Sequence, residues 1–119
     1  MPVVLLAEDE FLIRALLVDA LAGVGLECLE APTGKAALEF IAGDKQLDAI
    51  IVDIGLPDMS GEKVIEAALG QRPGTPIVRC SGISGEIQPP AGIHVFSKPY
   101  SAIQLSNFVA SLISGAAKP

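Results

Sequence analysis

Residues 48–61 read DAIIVDIGLPDMSG, and they set the architecture. Ile50, Ile51 and Val52 form an apolar run too short for a helix and too continuous for a half-exposed strand. A run of that kind fits a central strand of a parallel sheet, covered on both faces. Asp53 closes it with a carboxylate, and Gly55, Pro57 and Gly61 follow as the residues of a loop with fixed geometry. A carboxylate at the end of a buried strand is costly unless something compensates its charge or the charge is used.

Working outward, short apolar runs alternate with helical patterns along the whole chain. PVVLLA (2–7) predicts a buried strand. From Glu10 the period changes, with Ile13, Leu16, Leu17, Ala20, Leu21 and Val24 at helical spacing before Gly23 and Gly25. LECLEA (26–31) alternates like an edge strand. Thr33 caps a second helix running to about Ile41 and ending near Gly43. LDAIIVD (47–53) is the third strand, and Ser60 caps a third helix carrying Val64, Ile65, Ala68 and Leu69. TPIVRCS (75–81) and IHVFS (93–97) are the fourth and fifth strands. Ser101 caps a last helix whose Leu105, Phe108, Val109 and Leu112 share a face, and SGAAKP behind it has nothing to pack. Between the last two strands, GISGEIQPPAG (82–92) holds two prolines and three glycines, so the fourth helix expected there is shortened or irregular. Repeated βα units need right-handed crossovers. The fold class is therefore α/β, a doubly wound five-stranded parallel sheet with helices on both faces. Residues 1–119 read as a single domain with an ordered core of about residues 2–114.

Composition narrows the function. The formal net charge is −6 and the eight basic residues are scattered, which argues against binding a phosphate backbone; no nucleic-acid partner is expected. No apolar run approaches the roughly 20 residues of a membrane helix, and MPVVLLAEDE reaches acid too early for a signal peptide, so neither membrane insertion nor export is expected. Cys28 and Cys80 lack metal-like spacing and read as reduced thiols of a cytoplasmic domain.

In an open parallel sheet, ligands bind beyond the carboxyl ends of the strands where strand order reverses. The residues there are Glu8 and Asp9, then Asp53, Ser81, and Lys98-Pro99. Singly, each has a plain reading as a cap, a turn residue or a surface lysine. Jointly, three carboxylates repel one another unless a cation or the lysine compensates. Oxygen ligands at a wet edge suit Mg²⁺, which keeps several waters and favours one or two carboxylates plus a phosphate. The same parts make a phosphoryl-transfer site: Asp53 as nucleophile, Mg²⁺ on Asp9 and Asp53, Lys98 and the Ser81 hydroxyl on phosphoryl oxygens, and small Gly82 leaving room.

Four segments, LLAEDE, IIVDIGLPDMSG, PIVRCSG and FSKPYS, each at a strand end and in this order, resemble the receiver (phosphoacceptor) domain of two-component response regulators over nearly the whole chain. The resemblance implies the CheY-like or flavodoxin-like fold with strand order 2-1-3-4-5, which sets Cys28 and Cys80 on non-neighbouring strands. The resemblance implies that Asp53 accepts phosphate from the phosphohistidine of a histidine kinase or phosphotransfer protein. It implies that Asp9 binds Mg²⁺ directly, Glu8 through water, and Asp53 and the Gly55 backbone carbonyl directly. Lys98 would pair with Asp53 and then with its phosphate, and Pro99 would follow a cis bond. The domain would then signal to a downstream protein partner by a phosphorylation-dependent conformational change. It would be a signalling phosphoacceptor rather than an enzyme, catalysing only its own phosphorylation and dephosphorylation.

The departures are specific. The family's aromatic switch position, three before the lysine, holds Val95, with Phe96 beside it, as in a subset of receivers lacking that switch. Signalling is then expected to proceed by ordering residues 82–92 around the phosphorylated site. Arg79 is an unexpected charge in the fourth strand, either snorkelling from an edge or answering the acidic site. Gly55 and Ile83 flank the acceptor with no side chain to position water, so the acyl phosphate should be long-lived. His94 has no ligand-spaced partner and reads as structural.

Rival readings are a phosphorylation-independent pseudo-receiver that binds protein, and a haloacid-dehalogenase-like Mg²⁺ phosphatase, which needs a second acid where Gly55 stands. A flavodoxin-like FMN carrier would meet repulsion from AEDE. Kinase, pathway, output partner and oligomeric state stay open, as does the choice between a stand-alone regulator and a receiver from a hybrid kinase.

Overall fold

A computed structural model describes residues 1–81 and 92–115. The expected irregularity at 82–92, including Gly82, falls almost wholly on residues outside this description, as does the tail from 116.

The elements run β1 (Val3–Ala7), α1 (Phe11–Gly23), β2 (Glu27–Ala31), α2 (Gly34–Ala42), β3 (Ala49–Asp53), α3 (Gly61–Gln71), β4 (Ile77–Ser81), β5 (Ile93–Ser97) and α4 (Ala102–Ser114). All pairings are parallel, in the order β2-β1-β3-β4-β5. The expected doubly wound sheet is the observed one, and every residue of β3 is buried. Alternation splits the core into two layers. Leu5, Ile50, Val52 and Ile77 face α2 and α3, while Val4, Leu6, Ile51, Val78 and Cys80 face α1 and α4.

The helices begin where their caps predict. The Thr33 hydroxyl accepts from Ala36 N–H at 3.1 Å, Ser60 from Glu62 at 3.2 Å and Ser101 from Gln104 at 3.2 Å. Arg72, just past α3, donates to the carbonyls of Phe40, Ile41, Gly43 and Lys45 at 2.8–3.1 Å, closing the end of α2. β3 and β4 start two residues later than the runs that announce them. At Asp48 the carboxylate accepts from Val3 N–H at 2.7 Å before β3 begins. Pro76, with no N–H to donate, offers only its carbonyl to Ile50.

Leu16 corrects the expected stripe of α1. It is 63% exposed, and Phe11 and Leu12 are exposed as well, because α1 carries more apolar residues than one face can bury; Leu17 and Leu21 are the fully covered ones. Leu69 of α3 is likewise 43% exposed. Cys28 and Cys80 are free thiols on β2 and β4, and burial pushes both up to about 12. Among the described residues no helix is long and apolar enough to cross a membrane.

Candidate functional site

Strand order reverses between β1 and β3, so their carboxyl ends diverge into a crevice. β1 delivers Glu8 and Asp9 there and β3 delivers Asp53. One carboxylate oxygen from each lies within 4.8 Å of the others. Glu8 and Asp53 are buried, 1% and 4% exposed, and Asp9 is the most open of the three.

Two cationic or polar donors meet this charge. The Lys98 ammonium sits 2.8 Å from Asp53 Oδ1, and the Gly55 N–H donates to the same oxygen at 3.3 Å. Lys98 is itself held in place from β4, its N–H donating to the Ser81 carbonyl at 2.7 Å. Burial works against the lysine's charge, but the hydrogen bond and charge of Asp53 and the charge of Glu8 outweigh it, and its pKa lies above the ordinary value. Glu8 is the least comfortable acid. Burial pushes its carboxyl up to about 7, the charges of Asp53 and Asp9 push the same way, and a hydrogen bond from Glu10 N–H at 3.1 Å offsets part of the rise.

The loop after Asp53 is anchored at both ends. Gly61 N–H donates to the Ile54 carbonyl at 3.0 Å, and a Cβ at Gly61 would lie 2.5 Å from the carbonyl oxygen of Asp53, so only glycine fits. At the loop's middle, the Asp58 carboxylate accepts from Gly34 N–H at 2.8 Å and Lys35 N–H at 2.9 Å, the first amides of α2. These bonds hold its carboxyl below the ordinary 3.8. A lowered value means its stabilisation is present above pH 3.8 and lost as pH falls through the folded value. Asp58→Ala is therefore expected to lower the thermal unfolding midpoint at pH 7, and the gap from wild type should narrow below pH 3.8. Midpoints measured across that range with an unchanging gap would contradict this.

Of the other residues singled out from sequence, Ser81 is buried at the end of β4, and the Lys98–Pro99 bond is cis. Val95 is 37% exposed on β5, in register with Arg79. Phe96 alternates to the opposite face, its ring 5.2 Å from that of Phe108 in α4, and His94 meets the same ring edge-on at 5.3 Å. Arg79 does something not foreseen: it crosses to the first turn of α3 and pairs with Glu62 at 2.6 Å. Sequence reasoning also passed over Arg14. It is the only cation of α1, whose one other charged residue is Asp19; it lies four residues after Glu10, and it reaches the acidic loop.

An all-oxygen donor set with one open acid fits a hard divalent cation, and Mg²⁺ with retained waters suits it better than a softer metal. The ammonium–carboxylate contact beside it fits chemistry in which charge develops on a group attached at Asp53.

Comparison with known proteins gives a consistent placement. The model of the response regulator receiver domain family matches residues 4–105. The KDP operon transcriptional regulatory protein KdpE of Escherichia coli K12 is 36% identical over 107 residues, covering 86% of this chain and 47% of KdpE. The autoinducer 1 sensor kinase/phosphatase LuxN of Vibrio campbellii is 35% identical over 85 residues, 71% of this chain but 10% of LuxN. The chain thus spans less than half of either relative. The solved receiver domain of the hybrid histidine kinase CckA superposes with a TM-score of 0.80 at 26% identity, covering 93% of this chain and 98% of that one.

Proposed function

The chain belongs to the response regulator receiver domain family of two-component signalling, and from that premise we propose that it is a phosphoacceptor whose Asp53 takes a phosphoryl group from a phosphohistidine donor. The observation that carries this reading is the Lys98–Asp53 contact of 2.8 Å inside a three-carboxylate cluster. It also favours the phosphoacceptor over a pseudo-receiver, which has no use for a compensated nucleophile.

Asp9, Asp53 and the Gly55 carbonyl would hold Mg²⁺, with Glu8 acting through water. When bound, the ion supplies positive charge to the oxygens of the transferring group. An Asp53 carboxylate oxygen attacks phosphorus, an O–P bond forms, and the N–P bond of the donor breaks with its electron pair returning to the imidazole. Lys98 then moves its hydrogen bond from the carboxylate to a phosphoryl oxygen, and the Ser81 hydroxyl takes another. The phosphoryl group taken from the donor ends on the protein's own Asp53, in keeping with a signalling domain.

The donor's approach is supported by the surface beside Lys98. A hollow of about 530 Å³ is lined by Ile13, Leu16, Leu17, Pro99, Tyr100 and Ala102, with Lys98 at its edge. Exposed Phe11, Leu12 and Ile103 belong to the two helices that line it. This apolar ground suits a helical kinase or phosphotransfer protein presenting its histidine to the crevice. The signal is passed to a downstream protein partner, with Val95 in place of an aromatic switch.

Beryllofluoride with Mg²⁺ tests the reading in solution. Titration followed by amide chemical shifts should perturb Asp53, Ser81 and Lys98 in the wild type and nothing in Asp53→Asn. Equal perturbation of both proteins would defeat it.

A further inference from the structure

Arg14 lies outside the residues that touch the reacting groups, yet it engages the backbone of the acidic loop from one side. Its Nη1 donates to the Glu8 carbonyl at 2.9 Å and, more loosely, to the Asp9 carbonyl at 3.4 Å. Its Nε donates to the Glu30 carboxylate at 3.0 Å, and its guanidinium stands 5.8 Å from the centre of the Phe11 ring. The side chain is 14% exposed, so this geometry is packed as well as bonded.

The backbone ladder of α1 starts at the Glu10 carbonyl, which accepts from Arg14 N–H at 2.9 Å; Glu8 and Asp9 lie before it, and among the described residues no backbone amide of α1 donates to their carbonyls, which leaves them to the Arg14 side chain. Those same two residues carry two of the three clustered carboxylates. We infer that Arg14 is a positioning residue for the metal site: its fork, anchored on Glu30 of β2, fixes the Glu8–Asp9 backbone so that both side chains converge on Asp53.

Two effects oppose each other here. A guanidinium close to a cation site repels the cation, which on its own would make removal of Arg14 strengthen metal binding. Orientation of a ligand-bearing segment works the other way, since partners behind the ligands typically account for about 10–100-fold in metal affinity. The polar head of Arg14 is spent on carbonyls and a carboxylate, which offsets much of its charge, so orientation should win. Lysine keeps the charge but lacks the planar fork that spans Glu8, Asp9 and Glu30 together.

This inference rests on the Mg²⁺ reading of the site, and calorimetric titration of the unphosphorylated protein with Mg²⁺ separates the two. Arg14→Gln and Arg14→Lys are each expected to weaken binding by roughly tenfold. Glu30→Gln, which only loosens the anchor, should weaken it less. Thermal midpoints in chelator accompany each titration, because a merely structural role would lower the midpoint and leave the affinity of the folded protein unchanged. Wild-type or tighter binding by Arg14→Gln would overturn the inference, and so would full rescue by Arg14→Lys, which would make charge sufficient. Should Arg14→Gln not fold, wild-type affinity in both Arg14→Lys and Glu30→Gln would overturn it. A wild type that binds no Mg²⁺ would bring down the metal site and this inference with it, whereas a binding wild type matched by its variants brings down the inference alone.

Discussion

Lys98→Met is expected to slow phosphorylation of Asp53 by about a hundredfold with a small-molecule phosphodonor and Mg²⁺, the scale set by losing one preorganised donor to developing negative charge. The lysine has two tasks. Before transfer it sits 2.8 Å from Asp53 Oδ1 and balances part of the charge of three neighbouring acids. After the proposed transfer it would hold a phosphoryl oxygen. Methionine keeps most of the apolar stem and removes the ammonium, so the change reads out charge rather than packing. Breaking a fully buried pair costs about 3–5 kcal/mol by stranding the remaining charge. Lys98 is 31% exposed, so solvent screening reduces this to roughly 1–2 kcal/mol for the metal-free protein. Mg²⁺ should bind the variant more tightly, because the lysine no longer competes for Asp53. Rates from intact mass, midpoints in chelator and Mg²⁺ titrations report these effects separately. An unchanged transfer rate would remove Lys98 from the chemistry.

Gly61→Ala has the second large effect, and it acts through shape alone. The added methyl would lie 2.5 Å from the Asp53 carbonyl oxygen and 2.7 Å from Ile54 Cα, both backbone atoms of the strand end that aims the acceptor. Neither can rotate away as a side-chain tip would. Either the start of α3 moves off or Asp53 is pushed, and overpacking of this kind costs about 1–3 kcal/mol. The expected result is a lowered unfolding midpoint together with slower phosphorylation, because the nucleophile shifts relative to Lys98. Gly70→Ala is the matched control: it sits in the same helix with nothing within 4 Å of its Cβ position, and it should leave phosphorylation unchanged. Wild-type stability and rate in Gly61→Ala would contradict the close approach.

What was legible in the sequence is what short-range chemistry specifies. Element type follows from apolar runs and caps whose partners lie two or three residues away, such as Thr33 with Ala36 and Ser101 with Gln104, whereas strand order comes from the family resemblance. The cluster at the strand ends was legible too, because parallel topology gathers carboxyl ends on one edge whatever the distances along the chain. Contacts that join distant segments through long side chains were not. Arg72 closing α2, Asp58 capping it and Arg79 pairing with Glu62 all need the packed geometry before a partner can be named. Leu16 failed for a different reason: on a helix that is apolar nearly all round, periodicity does not say which side the sheet covers. Gly61 was read as a loop residue, and its necessity comes from the space that the end of β3 denies it.

The most direct measurement is intact mass of the wild-type protein incubated with acetyl phosphate, with and without Mg²⁺, followed by peptide mapping of the adduct. One phosphoryl group that forms only with Mg²⁺, maps to Asp53 and is missing from Asp53→Asn is the predicted result. A folded protein that gains no adduct, or gains it equally without Mg²⁺ or on another residue, would contradict the assignment of Asp53 as the phosphoacceptor.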